Sequence, residues 1–131
     1  MSELGSKQIL VVDDDSFILS ITVAILGRLG CSNVDTAQNG EIGIEKLNDK
    51  VDSTYDLVIC DLNMPVLDGV GFIRQAGERG FSGALVLSTG DESELLEQAL
   101  ELAEALKLNL LGSLTKPPNL DQLKRMLESL N

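Results

Sequence analysis

Apolar residues along the chain fall alternately into short unbroken runs and into helically spaced patterns. Ile9–Val12, Leu57–Cys60 and Ala84–Leu87 are runs without a polar residue, and Leu110–Leu114 and the weaker Val34–Ala37 complete a set of five. Short runs that lack polar alternation predict strands buried on both faces. The segments between them carry helical spacing. Phe17, Ile18, Ile21, Ile25 and Leu29 predict the inward face of a first helix closed by Gly30. After a turn at Asn39-Gly40, Glu41–Asn48 predicts a short second helix with Ile42, Ile44 and Leu47 apolar. Asp52–Thr54 is loop. Val70–Glu78 predicts a third helix with Phe72 and Ile73 inward, broken at Gly80. The clearest helical pattern is Glu92–Leu106, where Leu95, Leu96, Ala99, Leu102, Ala103 and Leu106 share one side and the glutamates mostly take the other. Asn119 is placed to cap a last helix, with Gln122 as a capping-box partner and Leu120, Leu123, Met126, Leu127 and Leu130 as its apolar residues.

Five strand–helix units in succession predict an α/β domain: a five-stranded, doubly wound parallel sheet with helices on both faces. The length of 131 residues suits one domain, over residues 8–131, preceded by a flexible N-terminal segment over 1–7. In such sheets the ligand lies beyond the carboxyl ends of the strands, where the strand order reverses.

Those ends hold an unusual set of side chains. The first run stops at Asp13-Asp14-Asp15, the third at Asp61, the fourth at Ser88-Thr89 and the fifth at Thr115-Lys116-Pro117. Each has a plainer use: the aspartates as helix caps, the hydroxyls as turn residues, the lysine as a solvated loop residue. Their meeting at one edge argues for chemistry instead. Carboxylates this close repel and raise one another's pKa unless a cation sits among them. Few hard oxygen ligands with open positions for water suit Mg²⁺ better than a caged Ca²⁺. A calcium-binding loop counted from Asp13 would end at Ala24, which is no ligand. A cation, an ammonium and a hydroxyl around a free carboxylate support phosphoryl transfer onto that carboxylate. Asp61 is the best nucleophile, because it lies between the acidic group and Lys116.

Charge and composition narrow the picture. The formal net charge is −11 and there is no histidine. No basic footprint exists for direct nucleic-acid binding or for an anionic membrane surface. Ser–His and Cys–His catalysis and the usual zinc sites are excluded. Cys31 and Cys60 are expected to be free thiols, which fits a reducing compartment. The polar start of the chain does not resemble a signal peptide, and no apolar run is long enough to span a membrane, so a cytoplasmic location is expected.

The stretches ILVVDDD, VICDLNMPVLDG, LVLSTG and GSLTKP, in this order and spacing, resemble the response-regulator receiver family over essentially the whole chain. The resemblance implies the flavodoxin-like strand order 2-1-3-4-5. It implies that Asp61 is the phosphoacceptor and that Asp13 and Asp14 bind Mg²⁺ together with Asp61 and the backbone carbonyl of Asn63. Ser88 matches the switch hydroxyl, Lys116 the family lysine, and Lys116-Pro117 a cis peptide. The phosphoryl donor is then a histidine kinase or phosphotransfer protein. Output would pass through the face of the fourth helix, fifth strand and last helix to a downstream protein or a fused domain. The stretch LKLNLLGSLTKPPNLDQLKRML resembles receivers fused to EAL-type cyclic-di-GMP phosphodiesterase domains, so such a fused domain is one expectation. Such a module is not an enzyme in its own right; it catalyses only its own phosphorylation and dephosphorylation. Two positions depart from the family. Ser113 stands where Tyr or Phe is usual, and serine is too small for an aromatic rotamer switch. Thr89 stands where a smaller alanine is common and, with Asn63, is placed to tune the acyl phosphate. Two alternatives stay open: a haloacid-dehalogenase-type phosphatase with its nucleophile at Asp13 in a D-x-D pattern with Asp15, and an adaptor that does not use phosphorylation.

Overall fold

Five parallel strands, β1 (Gln8–Val12), β2 (Asn33–Ala37), β3 (Leu57–Asp61), β4 (Ala84–Thr89) and β5 (Asn109–Thr115), make one sheet in the order β2-β1-β3-β4-β5. The helices between and after them are α1 (Ser16–Arg28), α2 (Gly40–Asp49), α3 (Gly69–Glu78), α4 (Ser93–Ala105) and α5 (Leu120–Glu128). The structure is a computed structural model that describes residues 2–49, 55–64, 66–90 and 93–130. The loop expected at Asp52–Thr54 and the helix start expected at Glu92 lie outside those residues.

The alternation of strand side chains builds two cores. Leu10, Val12, Val58, Cys60, Leu85 and Leu87 point to one face, where they meet Ile44 of α2, Phe72, Ile73 and Ala76 of α3, and Ala99 and Ala103 of α4. Ile9, Val11, Leu57, Ile59, Ala84 and Val86 point to the other, against Leu19 and Leu26 of α1 and Leu123 and Leu127 of α5. A strand buried on both faces must be apolar at every position, which is why these runs lack polar residues. Cys31 and Cys60 are both buried and free.

The strands run past the apolar runs. β3 includes Asp61, β4 includes Ser88 and Thr89, and β5 spans Asn109–Thr115. Asp61 pairs in register with Ser88, so these polar residues belong to the ladder rather than to turns. On the outer strand β5 the register slips opposite Leu85 and Val86, leaving Leu111 as an extra residue before Gly112. Gly112 has φ 153°, and a Cβ there would come 2.9 Å from Met126 Cε of α5. The Lys116–Pro117 peptide is cis, as the resemblance implied.

One expectation changes. The inward face of α1 was expected at Phe17, Ile18, Ile21, Ile25 and Leu29, but the fully buried residues are Leu19, Thr22 and Leu26, and Phe17 is 68% exposed. Ile25 and Leu29 pack only at the margin of the core. The helix carries apolar residues around most of its circumference, so periodicity does not select one face. Thr22 is accommodated because its hydroxyl donates to the Ile18 carbonyl at 2.8 Å. Within the N-terminal segment, Ser2–Gly5 forms a helical turn. Ser32 Oγ and Asn33 Nδ2 donate to the Gly5 carbonyl at 3.0 and 2.9 Å, and Leu4 packs on the core.

The face assignment has a direct check by urea unfolding. Leu26→Ala is expected to cost about 2–5 kcal/mol, the usual cost of emptying a buried leucine site. Phe17→Ser is expected to stay within about 0.5 kcal/mol of the parent. Equal losses for the two would reverse the assignment.

Candidate functional site

The connections from β1 and β3 leave the sheet on opposite sides, and between these two strands their C-terminal ends open a crevice. Asp13 directly follows β1, and its backbone N–H donates to the Ala37 carbonyl at 3.0 Å, which ties it to the end of β2. Its own Oδ1 accepts from the Asp15 N–H at 2.9 Å. Asp15 turns away to cap α1, accepting from the N–H groups of Phe17 and Ile18 at 2.9 and 3.3 Å. Asp14 is exposed at the rim. The three adjacent aspartates therefore divide their work: one is buried, one is open and one is a cap.

Asp61 ends β3 with no solvent exposure. Lys116 Nζ, reaching over from the end of β5, lies 2.9 Å from Asp61 Oδ1 and 3.6 Å from Asp13 Oδ2. The Lys116 N–H donates to the Thr89 carbonyl at 3.0 Å, so β4 fixes the point from which the lysine reaches. The Asn63 N–H donates to Asp61 Oδ1 at 3.3 Å. Ser88 is the register partner of Asp61 on β4. The Thr89 hydroxyl turns to β5, donating to the Leu114 carbonyl over a long 3.5 Å. Asp13, Asp14, Asp61, Asn63, Ser88, Thr89 and Lys116 are thus all gathered at one edge. The sequence offers all three aspartates as caps without selecting Asp15, and does not announce the turn of the Thr89 hydroxyl towards β5.

Charge in this crevice is only partly compensated. Burial raises the Asp61 carboxyl from an ordinary 3.8 to about 6; the hydrogen bond from Lys116 opposes this and the Asp13 charge reinforces it. Asp13 is also raised, mainly by burial, against the bond from Asp15 and the Lys116 charge. Among the described residues, Asp61 Oδ2 is a buried oxygen without a hydrogen-bond partner. A buried carboxylate oxygen left bare is costly unless something absent from the protein alone satisfies it. Asp13, Asp14 and Asp61 each offer an oxygen within 4.8 Å of the others. Three hard carboxylates around an orphaned oxygen fit a divalent cation of the Mg²⁺ type.

The chain matches the family model for the response regulator receiver domain over residues 9–128. It is 29% identical over 128 residues to the cyclic di-GMP phosphodiesterase RocR of Pseudomonas aeruginosa, a match covering 98% of this chain and 32% of that protein. It is 34% identical over 124 residues to the transcriptional regulatory protein ZraR of Salmonella typhimurium, covering 95% of this chain and 26% of that protein. The chain thus spans about a quarter to a third of the length of these relatives. A response regulator from Colwellia psychrerythraea superposes with a TM-score of 0.77 at 31% identity, covering 95% of each chain.

The raised Asp61 carboxyl sets a pH dependence for the metal-free protein. Its folded pKa of about 6 exceeds the ordinary 3.8, so the folded state holds the proton more tightly. Stability is therefore greatest at the acid end of this window and falls as pH rises through about 6. Asp61→Asn removes the group and is expected to flatten that slope. In EDTA at neutral pH it is expected to stabilise the fold by about 1–3 kcal/mol, from the size of the shift. Chemical denaturation across the window checks both; an unchanged slope would show that Asp61 is not strained.

Proposed function

Since the chain belongs to the response regulator receiver domain family, we propose that it accepts a phosphoryl group onto Asp61 in a Mg²⁺-dependent reaction and uses it to switch a partner or a fused output domain. The observation that carries this reading is the Asp61 carboxylate: fully buried, held through Oδ1 by Lys116 at 2.9 Å and, among the described residues, without a hydrogen-bond partner at Oδ2. A nucleophile needs an unshared oxygen, and a developing phosphoryl charge needs a fixed cation beside it. In the proposed transfer, the carboxylate attacks phosphorus, a P–O bond to Asp61 forms, and the bond to the donor's leaving nitrogen or oxygen breaks. Lys116 then moves its charge from the carboxylate to the phosphoryl oxygens. Ser88 is opposite Asp61 in the ladder, and in this reading its hydroxyl would bind the same group. Asn63 and Thr89 tune access and hydrolysis. Mg²⁺ bound by Asp13, Asp14, Asp61 and the Asn63 carbonyl would supply charge neutralisation at the phosphoryl oxygens.

The absence of histidine fits a donor that brings its own, a histidine kinase or phosphotransfer protein. Output is assigned to the face of α4, β5 and α5, towards a downstream protein or a fused domain, including one of EAL type. The likeness to the phosphodiesterase RocR supports that last possibility. The module acts only on its own phosphorylation and is not otherwise an enzyme. With a net charge of −11 it has no direct nucleic-acid or membrane role, and it works in the cytoplasm. Among the described residues no helix is long and apolar enough to cross a membrane. A D-x-D phosphatase is disfavoured because the Asp15 carboxylate is already engaged as a cap.

Two experiments test the reading. Incubation with Mg²⁺ and acetyl phosphate or phosphoramidate is expected to place an acyl phosphate on Asp61, mapped by mass spectrometry, and none in Asp61→Asn. Label on Asp13 would point to a phosphatase, and no label with any donor to an adaptor. Ser113 is exposed on β5. Ser113→Ala is expected to leave labelling and partner binding nearly unchanged, measured as labelling rate and by pull-down; a strong loss in either would make this position a switch.

A further inference from the structure

The loop from β3 to α3 makes a contact that neither its hydrogen bonds nor the acidic site requires. Val66 has φ 72°, a conformation unfavourable for a β-branched side chain, and it is 73% exposed, so its own packing returns little. Neighbouring contacts must impose that backbone. Leu67, the next residue, is half-buried and packs on the core that α2, α3 and α4 share. It sits between two glycines. A Cβ at Gly40, the first residue of α2, would lie 2.5 Å from the Leu67 carbonyl and 3.0 Å from its Cβ. A Cβ at Gly71, in the first turn of α3, would lie 2.5 Å from Leu67 Cδ1. Real side chains do not come this close, so both positions leave room that Leu67 fills.

This seat joins the two sides of the crevice. Gly40 starts the helix after β2, and β2 holds Asp13 through the Ala37 carbonyl. On the other side, the loop bearing Leu67 is closed by the Gly69 N–H donating to the Leu62 carbonyl at 2.9 Å, and by Asp68 accepting from the Gly71 N–H at 2.9 Å. Within that closed loop Asn63 donates to Asp61. We propose that Leu67 is a positioning residue for the cation site: seated between Gly40 and Gly71, it holds the loop carrying Asn63 at a fixed distance from the Asp13 side, against the backbone cost at Val66. The proposal rests on the reading of Asp13, Asp14 and Asp61 as a Mg²⁺ site.

The test is Mg²⁺ affinity of the full chain by isothermal titration calorimetry, with thermal melts confirming folding at the working temperature. Leu67→Ala is expected to weaken Mg²⁺ binding about tenfold, the lower end of losses seen when groups behind metal ligands are removed. Leu67→Val, a milder truncation that keeps the fold if alanine does not, is expected to weaken it by a smaller factor in the same direction. Leu67→Met, similar in volume, is expected to restore it. Leu106→Ala, which empties a site on the same core against Gly77, is expected to lower the melting temperature without changing Mg²⁺ affinity. Val66→Gly is expected to keep the affinity and to raise the melting temperature of the metal-free protein. Wild-type affinity in Leu67→Val, or an equal loss in Leu106→Ala, would overturn the proposal while leaving the cation site standing. Absence of Mg²⁺ binding in the wild type would remove the cation site itself, and the proposal with it.

Discussion

The structure is organised around a carboxylate that is out of water and only half compensated. Asp61 has a lysine at 2.9 Å on one oxygen and, among the described residues, no hydrogen-bond partner on the other, with a second buried aspartate beside it. Three acids and one lysine leave a local excess of negative charge. In bulk water that excess would be cheap; in a crevice between packed strands it is not. The fold tolerates it because the sheet on either side is apolar on both faces and supplies stability elsewhere. A cation drawn to the bare oxygen would offset that excess.

The positioning of this group follows from parallel β-α-β architecture. Strands that all run the same way end at the same edge, and reversal of winding between β1 and β3 parts the loops there. Each functional side chain is then tied back to the sheet. Asp13 is held through the Ala37 carbonyl, Lys116 through the Thr89 carbonyl, and Asn63 through Asp61 itself. Backbone bonds of this kind fix where a side chain starts but leave its tip able to move.

The relation of site to output is less constrained by the same geometry. β5 is an outer strand with a register slip at Leu111 and an exposed Ser113. No aromatic residue occurs along β5, and Ser88 on β4 is the register partner of Asp61. The chain spans about a quarter to a third of the length of the related proteins RocR and ZraR.

Much of this protein was legible in its sequence. Three wholly apolar runs and two weaker ones, alternating with helical spacing, determined a parallel α/β sheet, because the central strands, covered on both faces, need to be apolar throughout. Asp13, Asp14, Asp61, Ser88 and Lys116 were legible as one group, because each lies within two residues of the end of such a run and parallel strands bring those ends together. Other features depended on contacts between residues far apart in the chain. α1 is apolar on nearly every side, so only packing against β1 and α5 could choose Leu19, Thr22 and Leu26 over Phe17. Asp15 resembles its two acidic neighbours in sequence, and only the start of α1 made it a cap. Asp61, which the sequence marks as a carboxylate at a strand end, acquired its raised pKa and its bare oxygen from burial and from a lysine two strands away. Local pattern determined which residues meet; the electrostatic state in which they meet was decided by tertiary structure, because desolvation is a property of the surroundings and not of the residue.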